Sequence, residues 1–128
     1  QSVVEGSLRV FSDEMFDRAR AGVERCARSS CEAYGCSYDL HFSDGYPPVV
    51  NDEALYGLAK DALGEKLRLV PEPLLIAEDF AFYQRHLPGL FMLLGTGTGI
   101  PLHSDEFVMD ERVLVRGLET YRTLLQVA

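Results

Sequence analysis

Cysteine is scarce in this 128-residue chain, with three residues at Cys26, Cys31 and Cys36. An odd count without a Cys-x-x-Cys spacing argues against a disulfide framework and against a structural zinc knuckle. Cys26 and Cys31 stand five apart in a helical pattern and point in different directions, so all three read as reduced residues of a cytoplasmic protein. Long apolar runs are also missing. None approaches the roughly 18–20 residues of a membrane span, and no membrane partner is expected. Gln1 to Arg9 show no basic stretch followed by an apolar one, so no signal peptide is expected. Basic charge is in deficit, with 12 Lys+Arg against 20 Asp+Glu and a net charge of −8. Phosphate neutralisation needs a basic face, so a nucleic-acid partner is not expected either. Repeats and low-complexity tracts are absent.

What remains is the composition of an ordinary globular chain of one-domain size, 47% hydrophobic and 25% charged. Val4, Leu8 and Val10 alternate with Glu5, Ser7 and Arg9, and this period of two predicts a half-buried strand. A chain that opens inside a strand is expected to lack a preceding part. Ser12 is placed to cap a long amphipathic helix carrying Phe16, Ala19, Val23, Cys26, Ala27, Ser30 and Ala33, ended by Gly35. Tyr38, Leu40 and Phe42 predict a second half-buried strand, and Pro47-Pro48 closes it. Asn51 or Asp52 caps a helix running to about Leu63, with Gly64 at its end. Residues 78–86 read as a short helix. Leu90 to Leu94 form a continuous apolar run, the pattern of a strand buried on both faces. Asp110 caps a last helix whose core face is Val113, Leu114, Leu118, Tyr121 and Leu125. The order β-α-β, α, β-α predicts an α/β layer architecture, in two units joined near residues 46–51.

Four positions draw attention for chemistry. His103 lies in a loop after the apolar run, where α/β sheets build their crevices, and a neutral imidazole there can bind a metal or shuttle a proton. By residue type alone, a surface histidine is the commoner reading. Glu78 and Asp79 are paired carboxylates at a helix start; they either serve the helix dipole or orient a ligand nearby. Arg9, on the polar face of its strand, either pairs across strands with a carboxylate or captures a carboxylate ligand in bidentate fashion. The glycine run Gly95-x-Gly97-x-Gly99 does not open into a helix and lacks a phosphate-loop spacing. Ser104, His103 and Asp105 are adjacent, which rules out the geometry of a catalytic triad.

Taken in order, Glu5-Gly6-Ser7-Leu8-Arg9-Val10-Phe11-Ser12, Tyr46-Pro47-Pro48-Val49-Val50-Asn51-Asp52, Glu78-Asp79-Phe80-Ala81-Phe82-Tyr83, Pro88 to Gly95 and Leu102-His103-Ser104-Asp105-Glu106-Phe107 resemble the dimetal (zinc) amidohydrolase/peptidase family. That family includes aminoacylases, carboxypeptidase G, auxin-conjugate hydrolases and hippurate hydrolases, and the likeness is nearest the last branch. The resemblance spans nearly the whole chain but only the family's C-terminal third. Ser7 departs mildly, standing where the branch usually has Thr.

The resemblance implies residues 1–50 as the second half of a partial ferredoxin-like lid and dimerisation domain, strand-helix-strand. It implies residues 51–128 as the C-terminal segment of an α/β zinc-peptidase catalytic domain. By the same likeness His103 is a metal ligand, Arg9 receives the substrate carboxylate, and Glu78 and Asp79 lie close to the site without binding the metal. No residue of this chain matches the general-base glutamate, which the family carries upstream, as it does its other metal ligands. The implied activity is cleavage of the amide bond of N-acyl amino acids or small peptides, with a divalent cofactor, zinc or alternatively manganese or cobalt, in a homodimer. The chain alone is expected to be inactive, since one imidazole cannot hold a catalytic zinc. The alternative is a non-catalytic α/β module that acts by association.

Overall fold

The computed structural model describes residues 1–127. Four α-helices succeed one another: α1 (Asp13–Ala33), α2 (Glu53–Leu63), α3 (Phe80–Gln84) and α4 (Arg112–Leu124), with a single 3₁₀ turn at Gly64–Lys66 after α2. Local chemistry sets their ends. Ser12 Oγ accepts the Met15 N–H at 3.1 Å and starts α1. At its other end Gly35 takes φ +63°, the Gly35 N–H reaches Glu32 O, and the Cys36 N–H reaches Cys31 O at 2.8 Å. This pair of bonds is a Schellman closure, which needs the left-handed backbone that glycine supplies. Asp52, rather than Asn51, caps α2 by accepting the Leu55 N–H at 2.9 Å, and Gly64 ends it at φ +55°. Helix α3 is shorter than the 78–86 pattern predicts. The Asp110 carboxylate takes the Arg112 N–H at 3.0 Å and also the Arg112 guanidinium, at the entry to α4.

The α/β expectation is overturned. Among the described residues there is no strand and no ladder, so neither the strand-helix-strand lid nor an α/β layer is formed. The segments 4–10, 38–42 and 90–94 lie outside helices, but alternation of side chains marks only which face a strand would bury. A ladder also requires a neighbour about 4.7–4.9 Å away whose backbone N–H and C=O groups pair in register, and among the described residues no such ladder is formed. Within 4–10, the Arg9 side chain engages a distant segment: its Nη1 donates to Leu75 O at 2.9 Å.

Two further expectations fail with the sheet. Leu90, Phe91 and Met92 are half-buried, while Leu93 and Leu94 are exposed, so the apolar run is not covered on both faces. On α4 only Val113 is buried, while Leu114, Leu118 and Tyr121 are exposed, as is Leu125 just past its end, at 77%.

Contacts divide the chain into two compact units, Gln1–Val50 with Val70–Leu87, and Asn51–Leu69 with Pro88 onward. In the first, Ala81 of α3 is the buried residue. Tyr46 meets Phe82 edge to face with ring centroids 5.7 Å apart, and Arg20 lies 5.0 Å from the Phe42 ring centre, a cation–π distance. In the second, α2 packs against α4, burying Ala59, Leu63 and Val113. No described helix is long and apolar enough to cross a membrane.

Candidate functional site

His103 belongs to the second unit and is exposed. Its backbone is held by two successive turns that share Ser104. The Ser104 N–H donates to Pro101 O at 3.0 Å, and the Phe107 N–H donates to Ser104 O at 3.1 Å. The Ser104 hydroxyl accepts the Glu106 N–H at 3.2 Å. A short hydroxyl at the first position of the second turn, Ser104, favours this path. Ser104 is therefore occupied in turn formation. The glycine loop before it bends through Gly97 (φ +75°) and Gly99 (φ +70°), and the hydroxyls of Thr96 and Thr98 lie 3.3 Å apart.

Upstream of that loop, the apolar run is anchored by a residue the sequence reading treated only as a possible helix cap. Asn51 Nδ2 donates to Phe91 O at 3.0 Å and Asn51 Oδ1 accepts the Phe91 N–H at 2.7 Å. The Asp52 N–H donates to Gly89 O at 3.0 Å. An Asn beside the capping Asp is the one sequence signal that points to this role, because a carboxamide carries both a donor and an acceptor.

Arg9, Glu78 and Asp79 all belong to the first unit. The Arg9 guanidinium, exposed, is drawn to Leu75 O, three residues before Glu78. Glu78 O accepts the Ala81 N–H at 3.3 Å and Asp79 O accepts the Phe82 N–H at 2.9 Å. These are backbone bonds. Asp79 stands at the start of α3 without a side-chain capping bond, Glu78 is half-buried, and Asp79 is exposed. Close by in the same unit lies a shallow recess of about 230 Å³ lined by Phe11, Ser12, Asp13, Pro48, Val50, Ala81, Gln84 and Arg85. Its charged members are already paired: Arg85 Nη2 donates to Asp13 Oδ1 at 2.7 Å. That hydrogen bond holds the Asp13 carboxyl below the usual aspartate range and raises Arg85. None of Arg9, Glu78 and Asp79 lines the recess.

A divalent metal needs about three converging protein ligands in a catalytic site. Among the described residues no three His, Cys, Asp or Glu side chains come together in that way. The described residues therefore do not by themselves build a metal site, and His103 is a single imidazole. The described cysteines are free thiols.

Comparison with known proteins gives this arrangement its context. A protein named a probable hydrolase in Synechocystis sp. is 35% identical over 125 residues, covering 90% of this chain and 32% of its own length. The N-acetyl-L-cysteine deacetylase of Bacillus subtilis is 32% identical over 116 residues, covering 89% of this chain and 28% of its own. An uncharacterized hydrolase of Staphylococcus aureus is 30% identical over 131 residues, covering 95% and 34%. The chain thus spans about a third of the length of these curated relatives. No solved structure matches it. The model of peptidase family M20/M25/M40 matches residues 3–127, which is nearly the whole chain, and the chain belongs to that family.

Proposed function

We propose that this chain is one part of a metal-dependent amidohydrolase that cleaves the amide bond of N-acyl amino acids or small peptides. The carrying observation is the family match over residues 3–127. The identity to a deacetylase of an N-acetylated amino acid supports the substrate class, and a hippurate-type aromatic acyl group is the finer form of the same reading. Residues 1–50 then belong to the lid and dimerisation domain, and residues 51–128 to the catalytic domain. His103 contributes one metal ligand, its backbone held by the turn that contains it and the turn that follows. Arg9 receives the substrate's free carboxylate by charge-assisted hydrogen bonds, after exchanging the Leu75 carbonyl for the ligand. Glu78 and Asp79 orient groups near the site. Zinc fits an imidazole ligand, with manganese or cobalt as alternatives, and when bound supplies Lewis acidity toward the amide. In this reading the chain supplies one metal ligand and no general base, so by itself it is inactive. Its occurrence as a homodimer and its residence in the cytoplasm, where free thiols persist, belong to the same proposal.

A second reading, a non-catalytic association module, is favoured by the exposed apolar residues of α4. A chimera separates the two. The chain replaces the matching segment of the Bacillus deacetylase, and hydrolysis of N-acetyl amino acids is followed together with metal content. The enzyme reading expects a working chimera in which His103→Ala removes activity and metal together. It expects Arg9→Ala to weaken substrates with a free carboxylate about 10- to 100-fold more than their amides. Full metal occupancy and full activity in the His103→Ala chimera overturn it.

A further inference from the structure

We propose that Asn51 is a positioning residue for His103. Its carboxamide stands in for a neighbouring strand and fixes the register of the apolar run that leads to the His103 turns. The inference rests on the reading of His103 as the functional side chain of the second unit.

A peptide segment in a sheet satisfies one residue's N–H and C=O on the same neighbour, as antiparallel pairs do. Phe91 achieves this with a side chain. Its N–H goes to Asn51 Oδ1 at 2.7 Å and its C=O receives Asn51 Nδ2 at 3.0 Å. The adjacent bond from the Asp52 N–H to Gly89 O, at 3.0 Å, extends the pairing by one peptide. Asn51 and Asp52 are themselves tied to α2, since the Asp52 carboxylate caps Leu55 and its carbonyl accepts the Tyr56 N–H at 2.9 Å. The run is therefore mounted on the N-terminus of α2.

Its other end is seated on α4. A Cβ added at Gly117 would lie 3.3 Å from Leu94 Cδ2, so the helix surface and the end of the run approach closely. Two mounts three residues apart, at Phe91 and Leu94, define both register and depth. A slip of one residue would take Phe91 off Asn51 and Leu94 off the surface at Gly117 together. From Leu94 the chain has only the glycine loop to cross before Pro101 opens the first His103 turn, so the starting point of that loop is set by the mount.

The test uses the intact chain and its three histidine rings. His41 and His86 belong to the first unit and serve as internal references for His103. The mount requires Asn51→Ala to lower amide-exchange protection at Phe91 about tenfold, as expected for loss of the Asn51 acceptor of that N–H. It requires the ¹H–¹³C ring resonances of His103 to move while those of His41 and His86 stay. Asn51→Asp keeps the acceptor and loses the donor, so the same changes appear in smaller degree with the helices intact by circular dichroism. If Asn51→Ala disturbs all three rings together, Asn51→Asp decides. Unchanged Phe91 protection, or lowered protection with unmoved His103 resonances in that variant, overturns the proposal. These readouts involve no metal, so they fail or succeed independently of His103's role as a ligand, which the chimera addresses.

Discussion

Helices α1 and α2 make an instructive pair. The longer one, 21 residues against 11, has a side-chain cap at its start and a complete Schellman closure at its end, yet buries no residue. The shorter one has comparable caps and buries Ala59 and Leu63 against α4. Capping and glycine chemistry are local and operate wherever the right residues fall. Burial depends on what the rest of the chain brings alongside. The first unit, which holds Arg9, Glu78 and Asp79, buries Ala81, while the second, which holds His103, buries Ala59, Leu63 and Val113.

The strongest way to break this contrast is to place the same substitution on both sides of it. Val113→Asp puts an unpaired carboxylate into the contact between α2 and α4 and should cost on the order of 3 kcal/mol or more. Val23→Asp on α1, where the valine is 44% exposed, should cost about 1 kcal/mol or less. Urea unfolding, with amide exchange read separately in α2, α4 and α1, measures both. Equal costs would show that α1 relies on packing as much as α2 does.

The caps sharpen the comparison at smaller scale. Gly35→Ala forces a Cβ into the left-handed region at φ +63° and should cost about 1–2 kcal/mol. Ser12→Ala and Asp52→Ala should each cost about 1 kcal/mol. With no buried residue to hold it, α1 should fray visibly in Ser12→Ala, losing ellipticity at 222 nm. Helix α2 should instead keep its helicity in Asp52→Ala and show the loss as a lower unfolding midpoint. Fraying of α2 to the same degree would remove the distinction.

These features mark how far the sequence could be read. Ser12, Gly35, Asp52 and Gly64 carry their signals within a few residues, and the helix ends fall where those signals place them. Val4 to Val10 and Leu90 to Leu94 carry a strand pattern just as plainly, but a strand exists only through its neighbour, and periodicity holds no information about whether one is present. The exposed leucines of α4 fail for the same reason, since an amphipathic stripe states a capacity for burial and not its fulfilment. At the candidate site, the residue types and order around His103 were legible from family likeness. The Asn51 clamp was not, because it joins residues 40 apart through a side chain that local rules assign to helix capping.

The smallest expected effect concerns two ion pairs, one in each unit. Asp13 pairs with Arg85 across 72 positions at 2.7 Å, whereas Asp110 pairs with Arg112 two residues away. In both, the hydrogen bond from the arginine holds the carboxyl below its ordinary value of 3.8. A carboxyl lowered in the folded state contributes stability above its unfolded pKa, and the contribution fades as pH falls through the lowered value. Only a difference between folded and unfolded states counts. Unfolding separates Asp13 from Arg85 completely, but leaves Asp110 within reach of Arg112. Asp13 should therefore titrate below 3.8 in the native protein and return to the ordinary range in urea, while Asp110 keeps part of its depression there. Arg85→Gln should raise the Asp13 midpoint in the native state. It should also flatten the fall in stability below about pH 4, the region set by ordinary aspartate titration. Both groups are exposed, so the change is small and 1 M salt should erase most of it. Carboxyl ¹³C titrations in native and urea-unfolded protein measure it. An Asp13 midpoint that is the same in both states would show that the long-range pair does not form in solution.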